Sequence, residues 1–187
     1  MATRGVCGDE TWWMLDLSSM KRDEVSIRQA TVEDGGAFAE FLAAAWREAG
    51  PDAPGFTGAS EETIAEITAP EAFRVHISGP DRRMFLAWEE GRVVGFSATR
   101  GINENSVELS GIIVFRSRAG RGIGSALVES AMAAARGYGH QEMIVKTETT
   151  NHGARAFYEN QGFRIVGVET EDIDDIHVEV SVLSRPL

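Results

Sequence analysis

Three glycines within twelve residues are the first feature of this 187-residue chain that could do chemistry. The segment Val114-Phe115-Arg116-Ser117-Arg118-Ala119-Gly120-Arg121-Gly122-Ile123-Gly124-Ser125 joins a strand-like stretch to a helix-like one. Glycine has no Cβ, so backbone N–H groups at such a turn can approach a ligand without obstruction. The start of the following helix adds N–H donors without intrahelical partners and a partial positive charge. Together these make a cradle for phosphate, and Arg116, Arg118 and Arg121 make it locally basic. No Gly-Lys-Ser/Thr follows, so the P-loop pattern fails. The dinucleotide fingerprint fails too, since Ser125 and Leu127 stand where its last glycine would be. Taken alone, the turn is equally compatible with a plain strand-to-helix connection.

The elements that must position this turn are legible from local pattern. Val25-Ser26-Ile27-Arg28 reads as a strand. Thr31 to Asp34 resembles a capping box opening a helix whose apolar face carries Phe38, Phe41, Leu42, Ala45 and Trp46. A Gly/Pro loop follows, and Ser60-Glu61-Glu62-Thr63 starts a second short helix. Met84–Trp88 and Val93–Thr99 form a hairpin, and Val107–Phe115 is a further strand. Gly122–Arg136 is a helix, Met143–Thr147 a strand and Asn151–Asn160 a helix. Phe163–Val168 and Ile176–Leu183 are the last strands. The fold class is mixed α/β, with parallel pairing expected where a helix connects strands. Residues 1–24 read as an N-terminal arm. Because a chain starting at Met20 would read as complete, the first residues look like an extension, frayed or docked through Trp12 and Trp13. The domain is expected over residues 25–187.

A second motif, Asn151-His152-Gly153-Ala154-Arg155-Ala156-Phe157-Tyr158-Glu159-Asn160-Gln161-Gly162-Phe163, follows the next strand. With the Arg-Gly-Ile-Gly-Ser-Ala-Leu run at 121–127, it makes the chain resemble the GNAT superfamily of N-acetyltransferases from about Val25 to Leu183. The resemblance implies a mostly antiparallel central sheet of six to seven strands, with parallel, splayed central strands and about four flanking helices. It implies acetyl-CoA as cosubstrate and no metal. The pyrophosphate is then expected on Arg118, Gly120, Arg121, Gly122, Ile123, Gly124 and Ser125. The pantetheine would pair like an added strand with Ile112, Ile113 and Val114, and Asn151 would contact the cofactor arm. One departure is Ala119, where the family usually carries Gln or Arg.

The same resemblance assigns Tyr158 as the acid that protonates the departing thiolate. It makes Glu108 the base that takes a proton from the amine, directly or through water. A phenol of pKa ~10 suits the first role, and an alkylammonium of pKa ~10.4 requires the second. Strand alternation places Glu108 on one face with Ser110, Ile112 and Val114. Glu148 is a weaker base candidate. The expected reaction is direct acyl transfer to a primary amine in a ternary complex. Alternatives are transfer of another acyl group, or a regulatory module that binds acyl-CoA without turnover.

The formal net charge of -11, from 29 acids against 18 bases, disfavours nucleic acid as a partner and favours a cationic one. The resemblance assigns acceptor binding to two regions, Ala49–Ser60 and the loop between the last two strands at Val168–His177, and both lie in acidic stretches. Glu33–Glu71 holds nine acids against Arg47, and Glu169–Glu179 holds six acids with no Lys or Arg. Phe56, Asp172, Asp174 and Asp175 are the candidate lining residues, for a small cationic amine or a peptide amine. Cys7 is the single cysteine, which excludes an internal disulfide and a cysteine cluster for zinc. No apolar run reaches the ~18 residues needed to span a membrane. A cytoplasmic protein is the default expectation, and a homodimer is a state the resemblance implies.

Overall fold

The computed structural model describes residues 24–49, 62, 65–66, 69–79, 82–173 and 176–187. The arm other than Glu24, most of the Ser60–Thr63 helix start, and Phe56, Asp174 and Asp175 lie outside these residues. In chain order the elements are β1 (Ser26–Gln29), a 3-10 turn (Val32–Asp34) and α1 (Gly35–Ala49), then α2 (Pro70–Ser78), β2 (Arg83–Glu89), β3 (Arg92–Gly101) and β4 (Ser106–Val114). A second 3-10 turn (Arg116–Arg118) leads to α3 (Ile123–Gly137), β5 (Glu142–Glu148), α4 (His152–Asn160), β6 (Arg164–Ile173) and β7 (Ile176–Pro186).

Seven strands form one sheet in the order β1-β2-β3-β4-β5-β7-β6. Every pairing is antiparallel except β4 with β5, the pair joined through α3. That pairing lasts only three residues, Ser106–Glu108 against Glu142–Ile144. Beyond it β4 runs on to Val114 bonded to β3 alone, so the two central strands part.

Two apolar cores cover the two faces of the sheet. Leu127, Val128, Ala131 and Met132 of α3 recur at helical spacing and bury against Val107, Leu109, Met143 and Val145, with Tyr158 and Phe163 from the α4 end. On the opposite face Phe38, Phe41, Leu42 and Ala45 of α1 and Phe73 of α2 pack on Leu86, Phe96 and Ala98. The Phe38 and Phe96 rings meet edge-on at 5.1 Å.

Sequence patterning missed α2. Pro70 sits at its first turn, where a missing N–H costs nothing, but Phe73 is its one buried residue. Periodicity had little to detect. The last hairpin is also longer than expected. β6 continues to Ile173, so the segment expected as a loop over Val168–His177 is mostly paired strand.

At the start of α1, the Asp34 carboxylate accepts the Thr31 N–H at 2.8 Å and both arms of the Arg28 guanidinium at 2.7 and 2.6 Å. The Arg28 bonds hold this buried carboxyl below the usual range, aided by Thr31. A carboxyl depressed in the folded state stabilises the fold above its unfolded pKa of ~3.9, and loses that contribution as pH falls through the folded value. Asp34→Asn should therefore lower stability in urea unfolding at pH 7 by about 1–2 kcal/mol, a modest figure because Arg28 is half exposed. The difference from the unaltered chain should narrow below about pH 4. A gap independent of pH would contradict this account.

Candidate active site

The glycine turn arises where β4 ends beside β3 and the chain must reverse into α3. Gly120 and Gly122 adopt φ of 76° and 80°, the left-handed region that disfavours other residues. A Cβ at either position would meet nothing within 4 Å, so it would project into open space. Both glycines line a cleft of about 480 Å3, together with Ile123, Gly124, Ser125, Ile112, Val114 and Arg118. Its far wall is α4, through Ala154, Phe157 and Tyr158. The first-turn N–H groups of α3 have no intrahelical acceptors and open onto this cleft. An anionic group thus meets backbone donors rather than side chains, which fits the pyrophosphate of a CoA-type molecule.

A second cleft of about 540 Å3 lies toward the α1 side. Phe38, Leu42 and Trp46 of α1 and His76 of α2 form its apolar wall, and Glu108, Lys146, Glu148 and Glu171 supply its charges. The two clefts share Ile112, Ala154 and Tyr158. Parting of β4 from β5 therefore joins the glycine-turn groove to an acidic chamber, with a phenol at the junction.

Tyr158 is 6% exposed and its ring contacts Phe157 and Phe163 edge-on. Burial pushes its phenol above the ordinary range, so the hydroxyl keeps its proton at neutral pH. Asn151 caps α4: its Oδ1 accepts the Ala154 N–H at 3.0 Å, and the residue faces the acidic chamber. Ile113 also lines the chamber, while Ile112 borders both clefts.

Glu108 lines the chamber with Arg100 NH2 2.5 Å from its Oε2. Its expected strand face is wrong. Ala98 pairs with Gly111 and Thr99 with Leu109, which leaves Ser110 as an extra residue in β4. This bulge inverts the alternation. Glu108 shares its face with Gly111 and Ile113, toward the α1 core, whereas Ile112 and Val114 face the α3 core. The base candidate thus shares a side of the strand with Ile113 and stands opposite Ile112 and Val114.

Charges around the glycine turn also differ from the expected basic island. Glu89, 4% exposed at the end of β2, receives Arg118 Nε at 2.5 Å and Arg121 NH1 at 2.7 Å. The Arg118 bond, then Arg121, hold its carboxyl below the usual range. Glu48 of α1 accepts the backbone N–H groups of Arg116 and Ser117 at 2.9 and 3.2 Å. The hairpin expected from Met84–Trp88 and Val93–Thr99 puts Glu89 in its turn, whereas it is the last residue of β2. No local pattern links it to arginines about thirty positions away.

Across the chamber, Lys146 reaches Glu169 at 2.7 Å and Glu171 at 2.8 Å, and Glu169 first, then Glu171, raise its amine above the usual range. Glu171, not Asp172, lines the chamber. Asp172 is exposed at the hairpin end, in contact with His177 Nδ1. Among the described residues no group of His, Cys, Asp and Glu is arranged to hold a metal ion. No helix among them is long and apolar enough to cross a membrane.

Residues 39–163 match the family model described as the acetyltransferase (GNAT) family. A Mycobacterium tuberculosis protein described as an uncharacterized N-acetyltransferase is 28% identical over 115 residues, 62% of this chain and 74% of that protein. The PaiA N-acetyltransferase of Thermoplasma acidophilum, solved in complex with coenzyme A, superimposes with a TM-score of 0.66 at 21% identity, covering 88% of this chain and 99% of that one. A GNAT acetyltransferase of Elizabethkingia anophelis, solved with acetyl-CoA bound, gives 0.58 at 17% identity, covering 89% and 100%. At these identities the solved structures establish a shared fold.

The geometry has a direct spectroscopic consequence. Alkaline titration of tyrosine absorbance, compared between the chain and Tyr158→Phe, should place the Tyr158 ionisation above the ordinary phenol value of ~10. A Tyr158 step at or below that value would contradict the buried environment.

Proposed function

Because this chain belongs to the GNAT acetyltransferase family, we propose that it transfers an acetyl group from acetyl-CoA to a primary amine carried by a small cationic molecule or a peptide. The observation that carries this reading is Tyr158 at the junction of the phosphate-type groove and the acidic chamber.

Acetyl-CoA supplies a thioester carbonyl open to attack and a thiolate leaving group. Gly120–Ser125 hold the pyrophosphate on backbone N–H groups, with Arg118 and Arg121 beside them. Ile112–Val114 offer backbone to the pantetheine on the side β5 has vacated. Asn151, through its cap on α4, keeps that helix start in place beside the cofactor arm. The acceptor enters from the acidic chamber, where Glu108, Glu148 and Glu171 outnumber Lys146 although Glu108 also pairs with Arg100 and Glu171 with Lys146. Glu108 takes the ammonium proton, directly or through a water, with Glu148 as second candidate. The amine nitrogen then bonds to the acyl carbon, and the C–S bond breaks with its electron pair on sulfur. Tyr158 gives its proton to that sulfur, and the second proton lost by the attacking nitrogen passes through solvent to restore the phenol. Holding both partners at one junction accounts for much of the rate.

Support for the acid role is the place of the Tyr158 phenol, which lines both clefts. Support for a cationic acceptor is the lining charge of the chamber. Calorimetric titration with acetyl-CoA, alongside thiol release over a panel of amines, tests the whole reading. Binding with turnover on a cationic amine is expected. Tight binding with no turnover would favour a regulatory module, and no binding would exclude both.

Two substitutions divide the roles. Tyr158→Phe should lower kcat by roughly 10²-fold or more with acetyl-CoA affinity nearly unchanged; a large affinity loss would assign Tyr158 to cofactor binding instead. Gly122→Val should abolish CoA binding in calorimetry, since a branched side chain is strained at φ 80° and projects into the groove. Normal binding would put the cradle elsewhere.

A further inference from the structure

We propose that Glu89 is a positioning residue for phosphate recognition: from the end of β2, its buried carboxylate fixes Arg118 and Arg121 at the glycine turn so that their guanidiniums meet the cofactor's phosphates in one orientation. The proposal rests on the acetyl-CoA reading and adds to it a residue outside both motifs.

Three observations carry it. The carboxylate is 4% exposed, whereas each arginine side chain is 38% exposed. The acid is thus the buried anchor and the cations its solvent-facing partners. Oε2 accepts a hydrogen bond from Arg118 Nε, and Oε1 lies 2.7 Å from Arg121 NH1 as an ion pair, so one side chain draws both arginines to one point. Arg118 meets Glu89 through Nε, which leaves its two terminal nitrogens outside that bond, and the residue lines the cleft at the glycine turn. Ala119, between these arginines, has no polar side chain to offer a phosphate.

Electrostatics alone gives the opposite expectation, and this makes the proposal testable. Two guanidiniums and one carboxylate sum to +1. Neutralising Glu89 raises that to +2, which by charge alone strengthens anion binding. Loss of orientation weakens it, because charge-assisted hydrogen bonds depend on geometry. Glu89→Gln keeps the side-chain shape, but its amide NH2 turns a donor toward one of the two arginines.

The experiment measures affinity of the full-length chain and of Glu89→Gln for CoA and for pantetheine, which lacks the phosphates. The expected result is CoA binding weakened about tenfold, with pantetheine binding changed by less than about twofold. Unchanged or tighter CoA binding would overturn the positioning role. Equal losses for both ligands would also overturn it, by marking Glu89 as general scaffold. Failure of the unaltered chain to bind CoA would overturn the acetyl-CoA reading and this proposal with it. Should Glu89→Gln fail to fold, the Arg118→Met/Arg121→Met double variant, which leaves the anchor in place, should show the same phosphate-specific loss. CoA affinity unchanged in that variant would refute the proposal.

Discussion

β4 and β5 run parallel for three residues and then part, and the site depends on that separation. A sheet normally pairs every backbone donor and acceptor of a central strand. Here Gly111–Val114 keep β3 on one side and leave the other open. The opening admits a ligand between the two faces and sets α4, with Tyr158, across from the strand. Had the parallel ladder continued, the phosphate groove and the acidic chamber would be sealed from each other.

The bulge at Ser110 acts on the same strand. By inverting the alternation, it lets β4 turn Glu108 toward the chamber while Ile112 and Val114 face the α3 side. One strand thereby serves both clefts. Glu48 and Glu89 then secure the turn that follows, one through its backbone and the other through its arginines. α1 therefore contributes both an apolar wall of the chamber and a tether on the glycine turn.

Features encoded within a short window were legible in the chain. The Gly120–Gly124 turn, the Asn151–Phe163 motif and the alternation of the strands all depend on neighbours a few residues apart, and together they pointed to the family and its mixed sheet. Features that arise from pairing were not legible. The Ser110 bulge exists only relative to β3, so simple alternation put Glu108 on the wrong face. Glu89 finds Arg118 and Arg121 only once the β2–β3 hairpin is folded beside the turn. α2 buries a single side chain, Phe73, and so carries too little periodicity to announce itself. The acidic surplus near Glu169–Glu179 pointed to the acceptor side, yet in the folded hairpin it is Glu171 that reaches the chamber, while Asp172 stays in solvent.

Amide hydrogen exchange, followed residue by residue with and without CoA, tests the central claim most directly. If the parted strands form the cofactor groove, CoA should slow exchange at Ile112–Val114 and at Gly120–Ser125 together, with much smaller changes along β1 and α2. Protection absent from both segments, or confined to other parts of the sheet, would contradict it.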